Sequence, residues 1–251
     1  MKQILKHQNL PWLTLFCGGI GLLLRVWLLS TENDKGFITR WHISEILLTL
    51  LSLLFLGVLY LATRGLQQGN KYKFNFPASL TGGIGAAIAG FCVALTSVAE
   101  LSVGVAKLEL ACAWVGLLAA ACFLFVAYCR WKGLHPSMLF HTFICCWLVL
   151  RLICLYRSWS SDPQLEDYCY QLLALVFAMI SAYHRAAFDA KMGQRASHAF
   201  FSLACVYCCI LSIAGPDGIV LYLGLGIWQF TDVCRLTPMP RRYRGKKNEA
   251  A

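Results

Sequence analysis

Charge is what this sequence has least of. Only 14% of its 251 residues are charged, and acidic residues number 12 against 22 lysines and arginines. A soluble globular domain carries about 25% charged residues mixed throughout, so this scarcity, with 59% hydrophobic residues, excludes a soluble enzyme or DNA-binding domain. Long polar stretches are also missing. The segments between apolar runs are too short to bury a separate core. The first apolar run follows Lys2 and Lys6 as a signal sequence would, but no small-x-small cleavage site ends it, so it reads as an uncleaved first helix. Phe16 in front of Cys17 is too bulky for a lipoprotein site. The expected outer loops hold no cysteine, which excludes an extracellular disulfide. No histidines stand at i, i+4 as in a helical zinc site, and no metal or other cofactor is expected. A Ser/His/Asp nucleophile set and paired intramembrane aspartates are lacking, which argues against the familiar intramembrane proteases.

What is present is a series of apolar runs of the length needed to cross a hydrocarbon core of about 30 Å. The expected fold is all-α, a polytopic transmembrane bundle of about eight spans, at 10–30, 42–62, 78–101, 108–129, 137–157, 168–188, 198–215 and 218–236. The whole chain, 1–251, forms one integral membrane domain, with 237–251 as a flexible basic tail. The third and fourth spans divide at a short connector carrying Ser102, Gly104, Lys107 and Glu109. The seventh and eighth divide at Gly215-Pro216-Asp217-Gly218, where proline fixes φ and the glycines permit positive φ. Setting Arg25 over Arg151 also places Glu45 over Gln171, so 1–129 and 130–236 are candidate tandem halves of four spans each.

The net charge of +10 does not read as nucleic-acid binding, because the basic residues sit between apolar runs rather than along one polar face. Lysine and arginine stay on the cytoplasmic side in short loops. Eight spans with both termini inside put sixteen basic residues at the inner side, Arg64, Arg130, Arg185, Arg195 and Arg235 among them, and four outside: Lys35, Arg40, Lys107 and Arg157. Tryptophans 12, 41, 131 and 159 fall near the interfaces, where amphipathic rings are favoured.

Ionisable groups within a membrane cost roughly 2.5 to 3.5 kcal/mol on insertion scales. Arg25, Glu45, Glu100 and Arg151 therefore carry the most information, with Gln171 beside them, all at one outer depth. Two readings fit. One is an outward-facing polar pocket for a charged or zwitterionic ligand, because arginine forks recognise carboxylate and phosphate. The other is a pair of pinned hairpins, Arg25 with Glu45 and Arg151 with Gln171, or arginines snorkelling outward. His141, His184 and His198 fall at cytoplasmic helix ends, as headgroup contacts or satisfied packing groups. Asp189 and Asp232 lie within about one turn of Arg185 and Arg235 and read as local ion pairs. Cys205, Cys208 and Cys209 form a CxxCC, which in an apolar helix reads as small buried hydrophobes.

Ala78, Gly82, Ala86 and Gly90, spaced by four, line small residues along one face of the third span for close helix approach. The C-terminal Arg241, Arg242, Arg244, Lys246 and Lys247 suit anionic lipid at the cytoplasmic face, at about 1 kcal/mol per residue.

Within residues 151–188, the run RSWSSDPQLEDYCYQLLALVFAMISAYHRAAF resembles uncharacterised multi-pass membrane proteins of Gram-positive anaerobic bacteria. The resemblance implies a bacterial plasma membrane and assigns no residue a role. The function expected is transporter-like, with a membrane sensor or accessory subunit as the alternative and an intramembrane enzyme third. Lipid, a membrane partner subunit or a second copy are the expected partners.

Overall fold

The computed structural model describes residues 9–31, 42–64, 66, 72–103, 107–160, 168–215 and 218–236, with backbone alone at 73 and 74. All regular secondary structure among the described residues is helical. In chain order the helices are α1 Leu10–Leu29, α2 Ile43–Arg64, the single turn α3 Tyr72–Asn75, α4 Leu80–Val103, α5 Lys107–Lys132, α6 Met138–Trp159, α7 Cys169–Asp189, α8 Arg195–Ser212 and α9 Ile219–Cys234. Seven are long and apolar enough to cross a membrane; α9, with 16 residues, is apolar but shorter, about 24 Å at 1.5 Å per residue. This is a helical membrane bundle.

Local chemistry sets the helix ends. Pro11 occupies the first turn of α1, where its missing N–H would have had no partner. Ser137 caps α6 by accepting from the Leu139 N–H. Gly133, at φ +69°, closes α5 as Leu134 N–H returns to the Cys129 carbonyl at 2.9 Å, the six-to-one bond of a Schellman end. Lys191 performs the same turn after α7 at φ 61°, with Met192 N–H on the Ala187 carbonyl. The helix α5 runs three residues past the expected 129, which carries Arg130 inside the bundle.

Helix α8 is the centre. It packs on α7, α9, α1 and α2, while α4 lies between α5 and α9, and α6 between α5 and α7. Its buried face is built from Ala199, Ser202, Leu203, Ala204, Cys205, Cys208 and Cys209. Small side chains let neighbouring helices approach, and van der Waals packing is what joins helices when lipid removes the hydrophobic drive between them. The cysteines are free and buried, Cys205 donating to the Ala174 carbonyl at 3.4 Å. The hairpins α1–α2 and α4–α5 each pack chiefly on helices of the second half of the chain rather than on one another.

Outward faces are apolar. Leu50, Leu53, Leu54 and Leu61 of α2 and Phe91, Leu95 and Val98 of α4 are exposed, a pattern that a water-soluble surface avoids and bilayer contact requires.

On α4 the small residues meet neighbours within the chain. A Cβ on Gly90 would lie 3.0 Å from Phe123 Cβ and 3.1 Å from the Ala120 carbonyl of α5, one on Gly82 would lie 2.9 Å from Arg130 Nη2, and one on Gly85 would collide with Thr231 of α9. Ala86 is fully buried; Ala78 precedes the helix and is exposed.

Candidate functional site

Following the chain from Leu10 up and down the helices gives the bundle two ends. One holds Asn9, Arg64, Arg130, Asp189, Arg195 and Arg235; the other holds Thr31, His42, Glu100, Lys107, Trp159 and Gly215.

The expected outer residues fall in two groups at the second end. Arg25 on α1 is 5% exposed and stands over the Tyr170 ring of α7, 5.2 Å from its centroid. Gln171 is fully buried beside it in sequence, against Gly215. Glu45 is half-buried at the start of α2. Arg151 of α6 forms its ion pair with Glu100 of α4, across the other side of the bundle, near Cys112 and Cys154. Glu100 and Arg151 are thus brought together, and Arg25 is joined to the α7 neighbourhood of Gln171. The lipid-facing set Arg241, Arg242, Arg244, Lys246 and Lys247 lies outside the described residues.

From Arg25 a line of buried polar groups runs inward. Ser52 Oγ donates to the Leu48 carbonyl at 2.8 Å, so with its proton committed it accepts from Tyr170 OH at 3.0 Å and Tyr207 OH at 2.9 Å. Further inward along α8, Cys205 lies between Tyr207 and Ser202, while Cys208 and Cys209 sit on the Gly215 side of Tyr207. Ser202 and Ser181 of α7 share a 2.7 Å hydrogen bond, and Ser181 Oγ donates to Gln229 Oε1 of α9 at 2.7 Å. His198 Nδ1 lies 3.4 Å from Ser181 Oγ.

The line ends in an ionic cluster at the first end. Arg130 Nη2 of α5 donates to Asp232 Oδ1 at 3.3 Å, and Arg185 Nη1 of α7 donates to Asp232 Oδ2. The three side chains have 1%, 1% and 0% exposure. Phe76 presents its ring to both guanidiniums, at 5.2 and 5.0 Å, and Trp228 faces Arg185 at 5.7 Å. Cation–π contact of this kind recovers part of the desolvation cost. Arg130 Nη1 also donates to the Pro77 carbonyl at 3.3 Å. Alongside, Asp189 lies 3.3 Å from His135 Nε2 and 3.8 Å from His141 Nδ1, and Arg195 donates to Asn75. Tyr72, Asn75 and Phe76, in and just after the single turn α3, are all buried and cover the cluster.

No family model, curated protein or solved structure matches this chain. The site therefore rests on its own geometry.

That geometry corrects the local ion pairs expected from sequence. Asp232 is bound by Arg130 and Arg185, from positions 102 and 47 residues away, while Arg235 turns outward and gives its Nε–H to Thr81 Oγ1 at 2.6 Å. Asp189 meets histidines rather than forming a hydrogen bond with Arg185. Arg130, Arg185 and Arg195, assigned from sequence to the aqueous inner side, are interior at 2%, 1% and 3% exposure. His141 and His198 are fully buried rather than in headgroup contact, and His141 Nδ1 and Nε2 and His198 Nε2 make no hydrogen bond, so neither is a fully satisfied packing group. Among the described residues no group of three or more His, Cys, Asp or Glu could hold a metal. The signal that could have found the cluster was the depth match of Arg130, Arg185 and Asp232, each within about one turn of a helix end on the same side.

Proposed function

We propose that this protein is a small solute carrier of a bacterial plasma membrane, its path running along the seam of α7, α8 and α9. One observation carries the reading: buried polar side chains recur along the bundle, from Arg25 with Tyr170, Ser52 and Tyr207 at one end, through the group of Ser202, Ser181 and Gln229, to Arg185 and Asp232 near the other. Buried polar groups within a membrane are costly and mark solute, ion or proton pathways. Pinning helices needs pairs at the ends, not polar groups recurring along the length.

The charge division supports an orientation with the Arg130–Asp232 end and both termini in the cytoplasm. By sequence that end holds Asp189, Asp232 and Glu249 as its acids against sixteen basic residues, as short cytoplasmic loops do. Arg25, Glu45 and Gln171 then lie at the outward end of the path, with the Arg151–Glu100 pair pinning α6 to α4 on the other side of the bundle, and the basic tail rests on anionic lipid. The alternative, an accessory subunit docking through the glycine face of α4, is disfavoured because α5 and α9 already occupy that face.

The test is reconstitution into proteoliposomes on a solid-supported membrane, with rapid exchange of carboxylates, phosphate, amino acids and alkali cations. At least one should evoke a transient current that Ser202→Val abolishes. A folded, monodisperse protein silent to the whole panel would refute the carrier reading.

A further inference from the structure

Two buried arginines divide one carboxylate at the α5–α7–α9 junction, and their remaining hydrogen-bonding capacity is almost entirely of one kind. Arg185 Nε and Nη2, Arg130 Nε, Trp228 Nε1 and Gln229 Nε2 are all buried without a hydrogen-bond partner, as are the Tyr72 OH and the two Asp189 oxygens nearby. The nitrogens are all N–H donors. Trp228, Gln229 and Asp232 share one face of α9 by their spacing, Trp228 faces Arg185, and both guanidiniums stand on the same Phe76 ring. The donors therefore surround one place. Charge points the same way. Arg130, Arg185 and Arg195 stand against Asp232 and Asp189, three cations to two carboxylates, with His135 and His141 facing Asp189. A buried excess cation with open donors calls for an anionic acceptor, because leaving either unmatched costs more than exposing it to water.

The α4 side of the cluster is closed: Gly82 sits over the Arg130 guanidinium, where any side chain would press on Nη2 and Nε. A groove of about 550 Å³, lined by Pro77–Thr81 and Cys234–Leu236, opens beside the cluster, with Pro77 common to both, since its carbonyl binds Arg130. None of the donor side chains lines this groove, which approaches the junction from the basic end.

We infer that the Arg130–Arg185 junction is a binding site for a compact oxyanion, a carboxylate or phosphate group, gripped by Arg185 through Nε and Nη2 as a fork and steadied by the Trp228 and Gln229 N–H groups. The arginines lie inside the bundle rather than on its lipid face, which favours a free solute over a lipid headgroup. The inference rests on the carrier reading only in naming what the carrier handles. Binding in detergent and flux in vesicles fail separately: binding without flux sinks the carrier, and flux without oxyanion binding sinks this site.

The experiment is thermal unfolding and calorimetry of the full chain in a zwitterionic detergent. Inorganic phosphate and acetate are titrated against chloride at matched ionic strength, and nanodiscs with and without phosphatidylglycerol form a separate arm. Phosphate or acetate should stabilise the protein saturably where chloride does not. Arg185→Lys, which keeps the charge but loses the fork, should weaken the effect about tenfold, and Trp228→Phe, which removes one N–H and little volume, about fivefold. Arg235→Ala, at the groove rim, should leave it intact. Three results would each overturn the site: no saturable response to either oxyanion by folded protein, an equal response in Arg185→Lys and Trp228→Phe, or stabilisation by phosphatidylglycerol alone.

Discussion

Replacing Asp232 by asparagine keeps the side-chain volume and removes the single charge that two guanidiniums share. Both arginines are about 1% exposed, so water cannot take over the lost role. Breaking a buried pair by removing one partner costs about 3–5 kcal/mol, because the charge left behind remains desolvated. Here two cations lose their counter-ion together, which puts the variant at the upper end of that range; the neighbouring Asp189 limits the loss. For a chain of this size each kcal/mol moves the melting temperature by about 2–4 °C, so Asp232→Asn should melt on the order of 10 °C lower. A thiol-reactive dye suits the assay: Cys205, Cys208 and Cys209 are buried and free and become reactive only on unfolding, over a baseline from exposed Cys146, Cys169 and Cys234. A companion variant separates structure from ligand binding. Arg130→Met/Arg185→Met/Asp232→Leu replaces the whole triad by apolar groups, which is often neutral or stabilising, and should recover most of the lost stability while losing the response to phosphate or acetate. If Asp232→Asn melts within about 2 °C of the wild type, the cluster is not the buried ionic junction described.

Other perturbations follow from single contacts. Gly85→Val forces a branched side chain into Thr231 and should cost about 1–3 kcal/mol as overpacking of the α4–α9 seam, read by the same melting assay, whereas the exposed Gly57 should tolerate alanine. Lys191→Gly relieves a left-handed backbone at φ 61° and should stabilise by about 1 kcal/mol; a lower melting temperature would show that the Lys191 side chain matters more than its backbone. In a double-mutant cycle, Glu100→Gln and Arg151→Gln should couple by about 1 kcal/mol, since the pair is only partly shielded; additive losses would mean the pair contributes nothing. Cysteines introduced at Asp34 and Asp162 should react with an impermeant reagent from outside the cell and those at Gly69 and the exposed Met192 should not, and labelling at Gly69 would overturn the eight-span arrangement.

The sequence by itself determined the membrane and the helices. Apolar runs of spanning length, divided by polar connectors and by Gly215-Pro216-Asp217-Gly218, leave a chain few alternatives, because in hydrocarbon every backbone N–H must be satisfied within its own helix. The depth of Arg25, Glu100 and Arg151 was legible for the same reason: rise per residue converts position into depth. Azimuth was not legible. Asp232 has Arg235 three residues away, and the local rule pairs them; the fold turns Arg235 to Thr81 and brings in Arg130 from 102 residues earlier. A basic residue near a helix end looks alike in sequence whether it snorkels to water or turns inward, and α5, running on to Lys132, turned Arg130 inward. Which helices neighbour α9, and hence which charges meet at its face, is a property of packing among all of them. The membrane was written in composition, but the junction of Arg130, Arg185 and Asp232 exists only because α5, α7 and α9 converge.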